Sequence, residues 1–359
     1  MILRKRHVSA YWHHAGLYLE QLSGIADGKT MTHFQGPRFY SENMKNLYIM
    51  QLNGDLGDLE AALNMKKEFR VRRGGCSAFV KIVGDNQDLI GSHNTWTTYQ
   101  SMLRVIKLHD LKFGQTSKST GFHSASVKFS SYPGYITSVD DFYVTSNKLA
   151  VFETTIENNN ASLWKYVQPS TLPTSIRGVI ATRLATDGAS WAALFKNFNS
   201  GTYNNEWMVL DYNKWQRREK TGILTVTEQM PGFIYTEDYS ERLYSKSYYA
   251  SYNVPSMPTV FKLSNNTGKV EESGALFNYS NCPRALIFAR NQSMVHDISS
   301  ALALMRYNNF KHDPLSLCKG CNPPYSAELA ISARYSMTIS LLNGFQHSFF
   351  FLFFYTGVI

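Results

Sequence analysis

Cysteine is scarce in this sequence, and the composition excludes several classes of protein. The 359 residues contain four Cys, too few for a small protein held together by disulfides. Hydrophobic residues make up 43% of the chain, aromatic residues 14% and charged residues 18%, so the chain is neither disordered nor collagen-like. No internal repeat is evident. The length is sufficient for one large or two ordinary domains with a sizeable core.

The signature motifs of four large enzyme classes are also missing. The sequence has no G-x-S-x-G, G-x-x-x-x-G-K-[ST], G-x-G-x-x-G or H-E-x-x-H, which argues against α/β-hydrolase, P-loop, Rossmann and zincin sites. We predict neither a cofactor nor a metal. Basic residues interleaved with stacking aromatics in a recognisable nucleic-acid module are absent too. We therefore predict no nucleic-acid partner.

Neither end of the chain carries a complete targeting or membrane signal. The basic stretch 1–7 is not followed by the apolar region of a secretory signal. The segment 341–359 is strongly apolar, but its uninterrupted run from Phe349 is about a dozen residues, against the roughly 17–25 that span a bilayer. We interpret the tail as a membrane-interface segment or a wrongly predicted gene end.

The chain is basic, with a formal net charge of +9. The dense basic cluster comprises Lys66, Lys67, Arg70, Arg72 and Arg73. It is consistent with a protease-sensitive linker, with a contact for anionic surfaces or with a solvated loop. An anionic membrane surface is the partner that the overall charge favours.

Four N-glycosylation acceptor patterns suggest a compartment. They begin at Asn160, Asn265, Asn278 and Asn291. Such patterns matter only on a chain that enters the secretory pathway. We expect a lysosomal or secreted protein whose true N-terminus, with its signal peptide, lies upstream of Met1.

Periodicity predicts mixed helices and strands. Strands are expected at Ser77–Val83 and Asp88–Ser92, which form a hairpin around the turn 84–87. Short antiparallel strands are also expected within 127–155, with breaks at 132–134 and 146–147. Further strands are expected at Trp207–Tyr212 and Ile223–Thr227. Helical spacing marks 54–63, 97–108, 176–184, 190–198 and 294–305. Blocks of strands and blocks of helices favour a layered α+β fold.

Three of the cysteines have plain structural interpretations. Cys318 and Cys321 form a C-x-x-C pattern with His312 upstream, too few ligands for a closed zinc site. A local disulfide is the favoured interpretation, with metal binding or free thiols as alternatives. Cys282 is expected to be a buried small apolar residue.

Cys76 stands in a different context. It follows Gly74 and Gly75 at the start of a predicted strand. Paired glycines tolerate backbone conformations that an attack of a side chain on its own preceding peptide bond requires. Cleavage there would give Cys76 an α-amine, with an ordinary pKa of about 7.7–8.0, as general base for its own thiol. The alternative is a buried structural cysteine in a hairpin.

Several segments together resemble a known family. They are CSAFVK (76–81), SHNTWTTYQSMLRVIK (92–107), FSSYPG (129–134), DDFY (140–143), ETT (153–155), SGTYNNEWMVLDY (200–212), YYASYNVPS (248–256), PRALIFARNQS (283–293) and LMRYNNFKHDPLSLCKGCNP (304–323). Their combination and order are similar to the phospholipase B-like family from about Tyr11 to Arg334. This likeness is far more specific than any single motif.

The resemblance implies an N-terminal-nucleophile hydrolase fold, an αββα four-layer sandwich of two antiparallel sheets, incomplete here at both ends. It also implies self-cleavage before Cys76. The expected division is an N-terminal propiece (1–75), the nucleophile-bearing domain (76–334) and an atypical apolar tail (335–359). The implied function is the removal of acyl chains from phospholipids. An amide hydrolase of the same fold and a non-catalytic lipid-binding glycoprotein are the alternatives.

The family pattern nominates Cys76, His93, Thr155, Asn253 and Arg284 as the catalytic set. Cys76 is the nucleophile, and Asn253 is expected to provide an oxyanion donor. His93 would orient the α-amine or substrate carbonyl, and Thr155 would bind the amine or the substrate. Arg284 would hold an anionic group or fix the nucleophile's surroundings.

Two further expectations accompany this set. Because a thiol is mostly protonated at acidic pH, His93 or Arg284 would have to lower the pKa of Cys76 as cations. The resemblance also suggests second-tier candidates, for which turn or strand-end roles compete with function. They are Asp140, Asp141, Asn204 and Asn205.

Overall fold

Two antiparallel β-sheets form the centre of the computed structural model, which describes residues 9–31, 44–65, 75–98, 103–114, 125–318, 320–333 and 346–353. The smaller sheet has the strand order β10-β1-β2-β11, and the larger one runs from β3 to β9 in sequence order. The strands are β1 Cys76–Val83, β2 Asp88–Thr98, β3 Val105–His109, β4 Val127–Ser131, β5 Phe142–Thr145, β6 Leu149–Thr155, β7 Asn205–Asp211, β8 Leu224–Met230, β9 Phe233–Asp238, β10 Tyr248–Ser251 and β11 Gln346–Phe353.

Helices cover both outer faces of the sheets. They are α1 Ala10–Met31, α2 Met44–Gln51, α3 Asn53–Ala62, α4 Thr174–Leu184, α5 Gly188–Lys196, α6 Tyr212–Gln216, α7 Ser240–Lys246, α8 Pro258–Leu263, α9 Asn266–Ser273, α10 Pro283–Asn291 and α11 Ile298–Met305. Short 3₁₀ helices occupy Ala161–Tyr166, Gly274–Phe277, Gln292–Met294, Pro314–Ser316 and Ala327–Leu329.

The hairpin β1–β2 carries the strand that begins at Cys76. Its turn places Gly84, Asp85 and Asn86 at φ of 60°, 50° and 67°, a left-handed conformation that Gly, Asn and Asp tolerate best. The register pairs Cys76 with Thr95 and continues antiparallel to the turn. The hairpin prediction is therefore confirmed.

Alternating side chains of the strands divide the core into layers. Ala78 and Val80 of β1 pack against Phe152 and other residues of the larger sheet. These side chains together fill the space between the two sheets. On the outer side of the smaller sheet, Phe79 stacks on Phe288 of α10 with ring centroids 5.4 Å apart. The predicted αββα sandwich of two antiparallel sheets is thus confirmed.

The outer side of the larger sheet packs on α4 and α5. Trp191 of α5 lies 5.1 Å from Trp207 of β7 and 4.8 Å from Phe195, measured between ring centroids. Large aromatic side chains fill this layer because the sheet and the two helices leave a wide apolar gap. The cluster explains the helical spacing of residues 176–184 and 190–198, where the structure has the predicted helices.

The segment before Cys76 shares its core with the rest of the chain. Tyr18 and Leu22 of α1 are fully buried against Ile176 and Ile180 of α4. In α3, the Asp55 carboxylate accepts from the Thr202 hydroxyl at 2.5 Å. The division at residue 75 stays a prediction, but the two parts do not have separate cores. The basic cluster of residues 66–73 lies outside the described residues.

The helix predicted over residues 97–108 is wrong. Strand β2 continues to Thr98 and β3 begins at Val105, while residues 99–102 lie outside the described part. Of the apolar residues that suggested a buried helical face, the two that the structure describes are exposed, Leu103 at 68% and Ile106 at 69%. Pairing of β3 with β4 overrides the helical spacing.

The apolar tail contributes a strand. The backbone of Gln346–Phe353 pairs antiparallel with β2, with Phe351 opposite His93. For these residues the structure has a strand at the edge of the smaller sheet, and the interpretation of the tail as a membrane-interface segment or a wrongly predicted gene end stays a prediction. Within the described ranges, no helix combines the length and apolarity needed to cross a bilayer.

The cysteine predictions outside Cys76 are confirmed. Cys318 and Cys321 form a disulfide with their Cα atoms 5.4 Å apart. Cys282 is a buried free cysteine packed in the layer between the smaller sheet and α10.

Candidate active site around Cys76

Cys76 is buried at the first position of β1. Its side chain shares a sheet face with Ala78 and Val80, since alternate strand residues point the same way. That face looks toward the larger sheet, and Cys76 is 5% exposed. The nucleophile predicted from the sequence therefore lies inside the fold of the intact chain.

The peptide bond between Gly75 and Cys76 is held at each of its polar ends. The Trp96 amide donates to the Gly75 carbonyl at 2.7 Å. The Cys76 amide donates to Asn253 Oδ1 at 2.9 Å. On the far side of the residue, Arg284 Nη1 donates to the Cys76 carbonyl at 2.5 Å. The bond that self-cleavage would break is thus fixed by two separate parts of the chain, and a third part holds the carbonyl that follows it.

Close packing at Gly75 explains why a glycine suits this position. A Cβ atom there would lie 2.7 Å from Cε3 of Trp96 and 3.1 Å from Asn253 Oδ1. The Trp96 ring has little freedom to move away, because its Nε1 donates to Asn94 Oδ1 at 3.0 Å. Trp96 and Asn253 therefore approach the backbone of the predicted cleavage site directly.

Asn253 bridges the two sheets. Its Nδ2 donates to the Thr155 carbonyl at 2.7 Å, while its Oδ1 holds the Cys76 amide. The residue has φ of 67°, which Asn adopts more readily than other side-chain-bearing residues. In the intact chain one Nδ2 hydrogen is used by Thr155. The amide is nevertheless beside the nucleophile, as the predicted oxyanion role requires.

Thr155 contributes through its backbone. Its carbonyl accepts from Asn253 Nδ2 at 2.7 Å. The predicted contact with an α-amine has no counterpart in the uncut chain, where that nitrogen is a peptide nitrogen. Thr155 is placed within this site by its position at the end of β6.

Arg284 supplies a cation next to the nucleophile. It lies in the first turn of α10, and its guanidinium carbon is 4.6 Å from the centroid of the Trp96 ring. Burial lowers its pKa to about 10, so the group stays charged at neutral pH. Two roles were predicted for Arg284. Its hydrogen bond to the Cys76 carbonyl fits the role in which it fixes the surroundings of the nucleophile.

His93 does not supply positive charge, which corrects one expectation. Its side chain is fully buried between the sheets, and Nε2 lies 2.7 Å from the Glu153 carbonyl. A carbonyl only accepts, so the ring carries its proton on Nε2. Burial lowers the pKa of His93 to about 4. The ring is therefore neutral and acts as a fixed donor that joins β2 to β6.

A cluster of buried acids lies beside Cys76 and was not predicted as a unit. The Tyr203 hydroxyl donates to the Asp141 carboxylate and also lies 3.4 Å from Glu153 Oε1, so it contacts both acids. The Asn205 amide, with its nitrogen turned toward the acceptors, donates to Glu153 Oε2 at 3.0 Å. Burial raises the pKa of both acids, and the charge of Asp141 raises that of Glu153 further. The Asp141–Glu153 pair therefore holds a proton well above the usual range.

The buried acids also affect the pKa of the Cys76 thiol. Its pKa is raised well above the ordinary value, first by burial and then by the charges of Glu153 and Asp141, with Arg284 acting in the opposite direction. Of the two cations expected to lower the pKa of Cys76, Arg284 does so without prevailing in the intact chain, and His93 makes no such contribution. Desolvation outweighs the single cation, because burial penalises the charged thiolate.

Two second-tier candidates have structural roles. The Asp140 carboxylate accepts from Arg104 Nε at 2.9 Å and from the Tyr132 hydroxyl at 2.6 Å. The Asn204 amide donates to Asp58 Oδ2 of α3 at 3.1 Å. Asp141 and Asn205, in contrast, belong to the acid cluster beside Cys76.

Sequence reasoning missed Trp96, Tyr203 and Glu153. Each lies inside a segment that carried the family resemblance, at positions where strand periodicity alone indicates a core residue. Their contribution arises from contacts between β2, β6 and the loop before β7. Across the described ranges no group of three or more His, Cys, Asp or Glu is arranged to hold a metal ion.

Comparisons with known proteins point to one family. The profile of the family described as Phospholipase B matches residues 1–344. The phospholipase B-like 2 proteins of Bos taurus and Homo sapiens are each 47% identical over 334 residues, 91% of this chain and 56% of the relative. Phospholipase B-like 1 of Caenorhabditis elegans is 41% identical over 95% of this chain and 59% of its own length. The names of these three relatives assign the activity only provisionally.

The chain spans somewhat more than half the length of these relatives. Among solved structures, a mutant conjugated bile acid hydrolase from Clostridium perfringens matches 56% of this chain and 58% of its own, with 13% identity and a TM-score of 0.34. At this level of similarity we draw nothing from the likeness. The profile match and the identity to curated relatives are decisive: the chain belongs to the phospholipase B family.

Proposed function

We propose that this chain is a hydrolase that cleaves itself before Cys76 and then removes acyl chains from phospholipids through the new N-terminal cysteine. The observation that carries the proposal is the Gly75–Cys76 peptide bond, whose oxygen and nitrogen are held by Trp96 and Asn253 while Arg284 holds the next carbonyl, that of Cys76. Membership of the phospholipase B family supports the substrate class.

In the first reaction the Cys76 thiol attacks the Gly75 carbonyl carbon. The developing oxyanion stays on the Gly75 oxygen, where the Trp96 amide already donates at 2.7 Å. The proton from the thiol passes to the Cys76 nitrogen, and the carbon–nitrogen bond breaks to leave a thioester and a free α-amine. Water then hydrolyses the thioester to a Gly75 carboxylate and a free thiol.

In the second reaction the same thiol acts on an ester. The α-amine of Cys76 accepts the thiol proton, the thiolate attacks the ester carbonyl, and the amine returns the proton to the leaving alcohol. Water, activated by the amine, releases the fatty acid from the thioester. Asn253 would contribute an oxyanion donor, worth about 2.7–4 kcal/mol in known cases.

One observation favours a second candidate function, a non-catalytic lipid-binding glycoprotein. In the uncut chain Cys76 is 5% exposed, and burial holds the pKa of its thiol high. A chain that never cleaves itself would keep this closed site. Cleavage is therefore the event that separates the two functions, because it supplies both a base and an opening at residue 75.

We also propose a lysosomal or extracellular location and an anionic membrane surface as partner. The Cys318–Cys321 disulfide and the exposed Asn265 acceptor support an oxidising, glycosylating route. The Asn291 acceptor does not contribute, because its side chain is buried with Oδ1 bound by Arg290 Nε at 2.8 Å. The net charge of +9 suits anionic lipid.

The test compares Cys76→Ala with Cys282→Ala after secretion from a eukaryotic host. Intact mass and a denaturing gel report cleavage, and panels of phospholipids and N-acylamides report released fatty acid. We expect two fragments and phospholipid hydrolysis for the native chain and for Cys282→Ala, because Cys282 is buried outside the site. Cys76→Ala should stay one chain and release nothing.

Three results would change the proposal. Two fragments from Cys76→Ala would refute self-cleavage by this thiol. Release from N-acylamides alone would favour an amide hydrolase. A cut native chain that binds lipid and releases no fatty acid would favour the non-catalytic glycoprotein.

A further inference from the structure

A second pair of carboxyl groups is buried between the sheets, away from the Cys76 thiol. Glu206 of β7 and Glu228 of β8 are direct cross-strand neighbours in the sheet register. Both side chains are completely buried. Like charges placed directly opposite each other destabilise a sheet, so this pair needs a specific arrangement to be tolerated.

Hydrogen-bond donors surround both carboxyl groups. Glu228 Oε1 accepts from the Ser256 amide at 2.5 Å, from the Ser256 hydroxyl at 2.9 Å and from the Met257 amide at 3.2 Å. Glu206 accepts from the Tyr249 hydroxyl at 2.6 Å and from the Ser256 amide at 3.2 Å. The pair therefore ties the backbone at Ser256 and Met257 to the larger sheet.

The Ser256 amide contacts both carboxyl groups, at 3.2 Å from Glu206 Oε2 and 2.5 Å from Glu228 Oε1. Two buried carboxylates that share one donor repel each other too strongly for both to be ionised, so one member of the pair must carry a proton. Both oxygens of each glutamate accept hydrogen bonds, so these contacts do not by themselves place the proton. Burial and the charge of Glu206 raise the pKa of Glu228 well above its ordinary value, and we therefore assign the proton to Glu228.

The groups around the pair do not replace this proton with a positive charge. Tyr239 shares a hydrogen bond of 3.1 Å with Ser256 Oγ. The charge of Glu206 acts on Arg242, but the Arg242 guanidinium lies over the rings of Tyr239 and Tyr249, 4.9 and 5.5 Å from their centroids.

The remaining titratable neighbours are Tyr252 and Tyr279, on which the charge of Glu206 also acts. The Tyr279 hydroxyl accepts from Arg242 Nη2 at 2.8 Å, and the Tyr252 hydroxyl donates to the Tyr279 carbonyl at 2.5 Å. Arg242 is thus engaged with the tyrosines, and among the described residues no ion pair between it and either glutamate is found. The shared proton is what balances the two carboxyl groups.

The segment held by the pair leads back to the candidate active site. Strand β10 ends at Ser251, and Asn253 follows in its left-handed conformation, three residues before Ser256. Ser251 and Thr154 join the sheets through their hydroxyls at 2.5 Å. The chain that presents Asn253 to the Cys76 amide is therefore anchored on one side by Ser251 and on the other by the glutamates.

We propose that Glu206 and Glu228 form a proton-dependent brace that positions Asn253 beside Cys76, with Glu228 carrying the proton. In acidic solution the shared proton joins the two strands and holds residues 256–257. When the proton dissociates, two buried negative charges face each other and the brace weakens. Its link to cleavage rests on the function proposed above, whereas the brace itself does not.

The sign of the pH dependence follows from the position of the proton. A glutamate in the unfolded chain titrates at about pH 4.3, below Glu228 in the folded chain. The stabilisation is complete below that pH and is lost as the pH rises toward the folded value. In this interval the equilibrium constant for unfolding increases up to about tenfold per pH unit for one proton.

The experiment measures unfolding by denaturant in a Cys76→Ala background, so that no chain is cut. Glu228→Gln should fold and show a flatter dependence of stability on pH than the parent, because its Nε2 can donate to Glu206 and its Oε1 can accept as before. Glu206→Gln is the matched control, and it should be less stable at every pH because its NH₂ group replaces an acceptor. The Asp141–Glu153 pair titrates equally in all three chains.

Equal slopes for the parent and Glu228→Gln would overturn the brace. If Glu228→Gln fails to fold, hydrogen exchange at the Ser256 and Met257 amides of the parent decides the matter. After correction for intrinsic exchange, their protection should fall as pH rises, and constant protection would refute the proposal.

The link to the site is tested with Cys76 present. The rate of self-cleavage in Glu228→Gln should vary less with pH than that of the native chain. Absence of cleavage in all chains would refute the proposed function and leave the stability result standing. Identical pH profiles with different stability slopes would show that the brace does not position Asn253.

Discussion

Replacing Asn253 by Ala removes the amide that connects the predicted cleavage site to the larger sheet. The Cys76 amide would lose its acceptor at 2.9 Å, and the Thr155 carbonyl would lose its donor at 2.7 Å. A buried polar group left without a partner costs about 1–3 kcal/mol. The two lost contacts therefore predict a destabilisation of about 2–6 kcal/mol.

The backbone at this residue adds a second cost. Asn253 has φ of 67°, and a residue such as Ala in this region pays about 1–3 kcal/mol. Asn253→Gly removes that strain and keeps the loss of both hydrogen bonds. The difference between the Ala and Gly variants thus separates strain from hydrogen bonding.

The effect on cleavage is expected to be larger than the effect on stability. Without its acceptor the Cys76 amide is free to shift, and a displacement of about 1 Å at a reacting group can cost about 100-fold in rate. A time course on denaturing gels measures the rate of self-cleavage, and denaturant unfolding measures stability. Both variants should cleave about 100-fold more slowly than the native chain.

Asn199 offers a matched control. Its Nδ2 donates to the Met230 carbonyl at 3.0 Å, and its Oδ1 accepts from the Gly201 amide at 3.0 Å. Asn199→Ala should lose comparable stability and cleave at the native rate. A folded Asn253→Gly chain that also cleaves at the native rate would refute the clamping of the peptide bond by Asn253.

Three other predictions test the fold and its electrostatics. After cleavage the two fragments should elute as one particle under native conditions and separate only on a denaturing gel, because α1 and α4 share a core. Trp191→Ala should lower the free energy of unfolding by about 3–5 kcal/mol in a denaturant titration, since a large buried ring is removed. Hydrogen bonds from Arg290 and Tyr307 lower the pKa of Asp313 to about 2, so the stabilisation is present above about pH 4 and lost as pH falls toward 2. Asp313→Asn should therefore cost about 1–2 kcal/mol at neutral pH and little at about pH 2.

The strand and helix predictions succeeded where local chemistry and tertiary pairing agree. The turn at Gly84, Asp85 and Asn86 has residues that favour left-handed φ, and its flanking strands alternate as a hairpin requires. The interval 97–108 failed because its apolar spacing fits a helix while the neighbouring strand β4 offers backbone partners. Spacing reports which residues are apolar, but not which surface covers them.

The candidate site shows the same limit. Family resemblance nominated five residues, and the structure places four of them within one network of contacts around the Gly75–Cys76 bond. The charge of these residues was not predictable from the sequence. His93 is neutral and the Cys76 thiol is protonated because both are buried, and burial depends on the packing of one sheet against the other.

By itself the sequence determined the family, the layered α+β class, the hairpin that begins at Cys76 and the local disulfide. These depend on short segments and on residues close together in the chain. Tertiary structure decided which distant residues meet, since Asn253 lies 177 and Arg284 208 residues from Cys76. It also decided where protons stay, because the pairs Asp141–Glu153 and Glu206–Glu228 exist only when neighbouring elements bring two acids out of water into one buried space.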